Sequence, residues 1–216
     1  MFVPCRLLLV AGLVAASLFG PTADCGDAEP QGAGRQSRAL TITYIANEGV
    51  LVSAGAQQVL IDALHREYKP DYAYPPPDLL RNMEHARSPF DQVDLVLVTH
   101  VHLDHFHPLS VGEHLKNNPE AVLVSSRQVV EGVAKEFRGF GGIEARIKQT
   151  NPAWKETVEV TAGAIRIRVL GLKHANPQFA SIQNLGYLVE VGGKRLLHVG
   201  DADLEAENFE AFKLAK

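Results

Sequence analysis

Cysteine is nearly missing from this 216-residue chain: the two present, Cys5 and Cys25, both lie within the first 25 residues. A disulfide framework or a cysteine-rich zinc module is thereby excluded. A basic excess is missing as well, since Lys plus Arg (21) against Asp plus Glu (25) leaves a formal net charge of -4. That balance offers nothing to hold a nucleic-acid backbone or an anionic membrane, so nucleic acid is not an expected partner. Aromatic residues are few, 7% with a single Trp, but a 46% hydrophobic content at this length suffices for one sizeable core. The longest apolar run, Leu7 to Phe19, is too short at about 1.5 Å per residue to cross a hydrocarbon layer of roughly 30 Å.

What that run does resemble is an export signal. Arg6 precedes it and Gly20-Pro21 ends it, the layout of a secretory signal peptide over residues 1–23. The expected location is therefore periplasmic or extracellular, with no stable membrane span after the signal is removed. Lipoprotein anchoring through Cys25 is disfavoured, because Asp24 stands where processing wants a small residue. Residues 24–38 have no apolar period and are rich in Gly and polar side chains, which reads as a flexible leader. The folded domain is expected over residues 39–216.

Within it, Leu40, Ile42 and Tyr44 alternate with threonines, Asn47-Glu48-Gly49 supplies a turn, and Val50/Val52 and Val59/Ile61 continue, predicting an antiparallel meander. Lys69 to Asp78 holds three consecutive prolines and two tyrosines. It is an extended loop, a rigid connector or a substrate-side wall, and Asp78 is placed to cap a helix over Leu79, Leu80 and Met83. Asp94 to Thr99 is an almost unbroken apolar run, as expected of a strand covered on both faces. Pro108 suits the first turn of a helix through Leu115, then come a strand (Ala121 to Val124) and a helix with Val129, Val130, Val133 and Phe137 on one face. The Gly139 to Gly142 stretch follows a helix and lacks the third glycine of a dinucleotide loop, so it is a turn. Period-two alternation predicts strands at Ile143/Ala145/Ile147, Val158/Val160 and Ile165/Ile167/Val169, and Gly192-Gly193 joins two more in a hairpin. A closing helix is expected from about Asp203 to Lys216, acidic first and basic last. Two sheets covered by helices follow from this pattern.

Histidine is the clustered residue. Of nine, four (His100, His102, His105, His107) fall between positions 100 and 107. In extended chain His100, His102 and Asp104 project to one side and His105 across from them, so four metal-ligand side chains converge at the end of the apolar strand. Imidazole nitrogens suit zinc and neighbouring first-row metals, and a carboxylate adds charge neutralisation. His107 and His114 are expected outside that first set of ligands.

Thr99-His100-Val101-His102-Leu103-Asp104-His105 after an apolar strand resembles the signature of the metallo-β-lactamase-fold hydrolases. The likeness runs from about Leu40 to the C-terminus. Its second half, Leu170-Gly171-Leu172-Lys173-His174, Leu185-Gly186-Tyr187-Leu188 and Leu197-His198-Val199-Gly200-Asp201, is similar to the branch containing ascorbate-6-phosphate lactonase-like enzymes. The resemblance implies an α/β (α+β) fold, a four-layer αββα sandwich. It implies that His100, His102 and His174 hold a first metal, that Asp104 and His105 hold a second, and that Asp201 bridges both. His198 and Asp62 are then expected behind the ligands, orienting them. Family members continue into a further strand or two and a final histidine, so the sandwich is expected to be incomplete at its C-terminal edge. An open sheet edge favours pairing with a second copy, a homo-oligomer.

The implied cofactor is one or two Zn2+, with Mn2+ or Fe2+ suited to the same donors, and the implied partner is a small-molecule substrate. A metal-activated hydroxide would attack an ester, lactone or phosphoester, with Asp104 as the catalytic residue that orients the nucleophile and handles its proton. No Gly-x-Ser-x-Gly offers a rival nucleophile. Alternatives are a non-catalytic or single-metal remnant of the fold, a true β-lactamase, which the carboxylate of Asp201 argues against, and a glyoxalase-like thioesterase.

Overall fold

The structure, a computed structural model, describes residues 39–214. The expected signal peptide and leader, with both cysteines, lie outside them. The N-terminal meander forms as predicted from β1 (Thr41–Ala46), β2 (Gly49–Ala54) and β3 (Gln57–Ile61), paired antiparallel. Three parallel neighbours, β4 (Leu95–Val98), β5 (Val122–Ser125) and β6 (Ile147–Gln149), extend it into a six-stranded sheet in sequence order. β7 (Thr157–Ala162), β8 (Ile165–Leu172), β9 (Asn184–Val191) and β10 (Lys194–His198) form a four-stranded antiparallel sheet, ordered β10-β9-β8-β7.

The two sheets face each other across Val52, Val59, Ile61, Leu95 and Leu97 on one side and Ile165, Ile167, Val169, Tyr187 and Val189 on the other. The outer face of the larger sheet, through Leu60, Val96 and Leu123, packs on α1 (Pro77–Glu84), α2 (Pro108–Asn117) and α3 (Arg127–Glu136). β4 is therefore buried on both faces, the reason its sequence is LVLV without alternation. The Tyr187 hydroxyl crosses between sheets to donate to the Val98 carbonyl at 2.7 Å. Beyond the smaller sheet the fourth layer is thin among the described residues. A 3-10 helix, Ala206–Leu214, lies by β8, and Leu170, Leu172 and Phe209 pack there. The rest of that face carries exposed charge pairs, Arg166 with Glu190 and Arg168 with Glu159.

Four local expectations are corrected. Pro76, not Asp78, is the N-cap of α1; it has no side-chain acceptor, and Asp78 sits in the first turn, paired with Arg81. Ile143 lies between two 3-10 turns, Phe140–Gly142 and Glu144–Arg146, the second of which holds Ala145, and only Ile147–Gln149 is strand. The Arg146 guanidinium donates to the carbonyls of Leu115, Asn118 and Ala121, which draws this segment over the end of α2 rather than along a sheet. The closing helix is 3-10 and not α: Asn208 is bound to the Lys173 main chain through both side-chain atoms and to the Asp203 carbonyl, holding the segment tight against the end of β8. The histidine motif, finally, is turned and not extended. The amides of His105 and Phe106 both donate to the His102 carbonyl, so a turn, not strand alternation, gathers the ligand side chains.

No helix among the described residues is long and apolar enough to cross a membrane.

Candidate metal centre

The site is assembled from chain segments that leave both sheets at one edge, and Asp62 is its anchor. It directly follows β3, adopts a left-handed φ of 46°, and is 1% exposed. Its Oδ1 accepts from the Thr99 amide at 2.8 Å. Its Oδ2 accepts from Thr99 Oγ1 (2.7 Å), His105 Nδ1 (3.1 Å) and His198 Nε2 (3.0 Å). These bonds fix proton positions. Because the Thr99 hydroxyl proton is committed to Asp62, Thr99 Oγ1 must accept from His100 Nδ1 at 3.0 Å. His100 therefore presents Nε2 as a lone pair. The same logic places a proton on His105 Nδ1 and turns Nε2 of that ring inward, the tautomer control that metal-binding histidines require.

The second sheet supplies the rest. His174 follows β8 by two residues, and Asp201 follows β10 through Gly200, whose φ is 53°. A Cβ at Gly200 would stand 2.6 Å from Thr99 Oγ1, so only glycine lets the two sheets meet here. The His174–Ala202 bridge and the Ala175 amide bond to the Asp201 carbonyl at 2.8 Å lock these segments together.

All six expected ligands are brought together. His102 Nδ1 lies 2.9 Å from His100 Nε2 and 3.3 Å from His174 Nε2. Asp201 directs Oδ2 to the first group, 3.4 Å from His174 and 3.8 Å from His100, and Oδ1 to His105 Nε2 at 3.2 Å. Asp104 Oδ2 is 3.7 Å from the same His105 nitrogen. One donor atom from each of His100, His102, His174 and Asp201 lies within 4.8 Å of the others. Asp201 thus spans both halves of the cluster. His198 and Asp62 stand behind the ligands as expected, and His107 and His114 lie outside: His107 is the N-cap of α2, and His114 Nδ1 donates to the Met83 carbonyl at 2.6 Å.

The nitrogen trio tests whether a cation fits. His174 Nδ1 accepts from the Asn176 amide at 3.1 Å, so a neutral His174 carries its proton on Nε2. His100 Nε2 is a lone pair. Whatever His102 Nδ1 carries, one of its two contacts then sets like against like, N–H on N–H or lone pair on lone pair. With the His174 proton on Nδ1 and the Asn176 contact released, all three rings can turn a lone pair inward, and three imidazoles with the Asp201 carboxylate, one donor atom from each within 4.8 Å of the others, are a donor set that fits a cation. Burial is the first cause that pushes His100 down, to about 3, with His105 adding to it. Burial likewise lowers His102 and His174. All three are therefore neutral donors near pH 7. At His105 burial works the other way from the net result: hydrogen bonds to Asp201 and Asp62 outweigh it and raise the ring to about 11. The bond from His105 also pulls Asp201 down to about 2 against the effect of its burial.

Several contributors are not legible as functional in the sequence. Asn47, read only as part of a turn, donates from Nδ2 to the Asp104 carbonyl (3.1 Å) and to Asp104 Oδ2 (3.4 Å). Glu48 beside it comes within 4.8 Å of a His105 nitrogen and an Asp62 oxygen. Phe179 packs edge-on against His102 and His174, with ring centroids 4.5 and 5.1 Å apart. A cavity of about 660 Å³ adjoins His174, lined among others by Trp154, Leu172, Lys173, Ile182 and Asn184. The motif spacing signals none of them, because each arrives through a contact distant in sequence.

The family model described as a beta-lactamase superfamily domain matches residues 57–214. Among solved structures, similar folds include Igni18, a metallo hydrolase from the archaeon Ignicoccus hospitalis, at 19% identity and a TM-score of 0.53, covering 78% of this chain and 63% of that one. A protein of Veillonella parvula, assigned to the metal-dependent hydrolases, matches at 20% and 0.53 over 82% of this chain and 69% of that one. A Parabacteroides distasonis protein with the same assignment matches at 16% and 0.52 over 76% and 62%. This chain thus spans about three-fifths of the length of two of these structures. No curated protein sequence matches it. The sandwich, the turn-borne histidines at its edge and the family match over residues 57–214 agree, and the chain belongs to the metallo-β-lactamase superfamily.

Proposed function

We propose that the protein is a metal-dependent hydrolase of ester, lactone or phosphoester bonds in a small molecule, with zinc as its resident cation. The observation that carries this reading is the convergence of His100, His102, His174 and Asp201, one donor atom from each within 4.8 Å of the others, with His102 Nδ1 2.9 and 3.3 Å from the other two imidazole nitrogens. An imidazole-rich set with few carboxylates suits zinc, with Mn2+ or Fe2+ as the rival occupants. His100, His102 and His174 would hold one cation, Asp104 and His105 a second, and Asp201 would contact both. When bound, the cations supply Lewis acidity and a water made acidic enough to ionise near neutral pH.

The chain's own groups do the rest. Asp104 is 7% exposed, and the Asn47 amide holds its carboxylate from behind, so it is placed to orient the attacking water and take its proton. Asp62 keeps His100 and His105 in their donor tautomers. The cavity beside His174, walled by Trp154, Leu172 and Ile182 with Lys173 at hand, suits a small molecule with an apolar part and a negative charge. Outside the described residues, the apolar run from Leu7 to Phe19 supports export.

The test is metal analysis of the full protein followed by hydrolysis of a nitrophenyl ester, a γ-lactone and a nitrophenyl phosphodiester, before and after chelation. Chelator-sensitive turnover of at least one substrate is expected, and Asp104→Asn should lower kcat by about 10²- to 10⁴-fold, far more than it lowers metal content. Absence of bound metal, or turnover indifferent to chelation, overturns the proposal.

A further inference from the structure

The second half of the cluster has a donor that the sequence motif does not contain. Glu48 sits at the tip of the β1–β2 hairpin, and three features aim that tip at His105. Asn47 takes the left-handed φ of 48° that bends the chain. Its amide then ties the tip to the Asp104 carbonyl and carboxylate. Gly49 lets the backbone press onto the strand behind, since a Cβ there would stand 2.8 Å from Ala63 Cα and 2.9 Å from the Asp62 carbonyl. The result is a Glu48 oxygen, a His105 nitrogen and an Asp62 oxygen all within 4.8 Å of one another.

Asp62 is not free to bind a cation, because both its oxygens already accept hydrogen bonds, four in all. Glu48 is different: its carboxylate makes no hydrogen bond or ion pair among the described residues, and the charged groups around it are His105, His198, Asp62 and Asp201. A carboxylate is thus held by its backbone against a ring that Asp104 and Asp201 also face. Donor atoms around one zinc stand roughly 3.3 Å apart for metal–ligand bonds of about 2.0–2.2 Å. The glutamate side chain, with three rotatable torsions, can close the remaining gap.

We propose that Glu48 is a ligand of the second cation, alongside Asp104, His105 and Asp201. This rests on the reading of the site as a metal centre. Zinc titration by calorimetry, with metal analysis, on the full-length protein and its Glu48→Gln and Glu48→His variants tests it. The unaltered protein should bind two equivalents. Glu48→Gln should keep the first at unchanged affinity and bind the second at least tenfold more weakly, and Glu48→His, which restores a donor, should recover it. Cobalt substitution gives a second readout, since only the spectrum of the second equivalent should change. Two equivalents bound equally well by Glu48→Gln, or a single equivalent in both proteins, overturn the Glu48 assignment while leaving the first site standing. Failure of the unaltered protein to bind any zinc overturns the metal-centre reading itself, and this assignment with it.

Discussion

Replacing Asp62 with Asn keeps the shape of the anchor and removes its charge. In the buried carboxylate (1% exposed) Oδ1 takes one hydrogen bond and Oδ2 takes three. An amide must turn its NH2 toward one of these sets, so at least one donor loses its partner and the others lose charge assistance. A hydrogen bond to a charged group contributes about 1.5–3 kcal/mol and a neutral one about 0.5–1.5, while removing one member of a buried charged set costs about 3–5 kcal/mol. The metal-free variant should therefore be destabilised by about 3 kcal/mol, read from urea unfolding at neutral pH. Because Asp62 fixes the tautomers of His100 through Thr99 and of His105 directly, zinc affinity should also fall by about 10- to 100-fold, measured by competition with a chromophoric chelator. Thr99→Val separates the two relays: it breaks only the path to His100, so it should weaken the first equivalent and spare the second. The depressed pKa adds a pH signature. Hydrogen bonds from His105 and His198 hold the Asp62 carboxyl below its ordinary value of 3.8 against its burial, so its contribution is complete above that pH and is lost as pH falls below it. Stability within about 0.5 kcal/mol of the parent together with unchanged zinc affinity in Asp62→Asn would refute the reasoning.

Gly200→Ala meets Thr99 Oγ1 at 2.6 Å and the Asn184 side-chain oxygen at 2.9 Å in a left-handed backbone; it should cost about 1–3 kcal/mol and weaken zinc binding by displacing Asp201, which calorimetry would show. Tyr187→Phe removes a buried donor to the Val98 and Val124 carbonyls and should cost about 1 kcal/mol in unfolding experiments while zinc binding is unaltered. Burial holds His114 below its ordinary 6.5. The unfolded chain therefore takes up a proton there as pH falls below 6.5 and the folded one does not, so this contribution is complete above 6.5 and declines below it. NMR titration should find the His114 ring still neutral where exposed histidines are already half charged.

The order of elements was legible because hydrophobic periodicity is local. The unbroken run before Thr99 announced a strand covered on both faces, and the alternations on either side of Gly192-Gly193 announced a hairpin. The failures were also local in appearance and distant in cause. Ile143 and Ala145 alternate like a strand, yet Arg146 binds three carbonyls around the end of α2, and no pattern within the segment records those partners. Asp203 to Lys216 carries the charges of an α-helix, but the hydrogen bonds of Asn208 to Lys173 and Asp203 decide its winding.

By itself, the sequence determined which side chains have metal-binding chemistry and, through the spacing of His100, His102, Asp104 and His105, that they belong to one site; imidazole and carboxylate donors are properties of residues and need no fold. Only the tertiary structure decided where their protons sit, that His174 and Asp201 arrive from the other sheet at 3.2–3.8 Å, and that Glu48 joins them from a hairpin. Those are relations between segments far apart along the chain, and they exist only once two sheets have packed face to face.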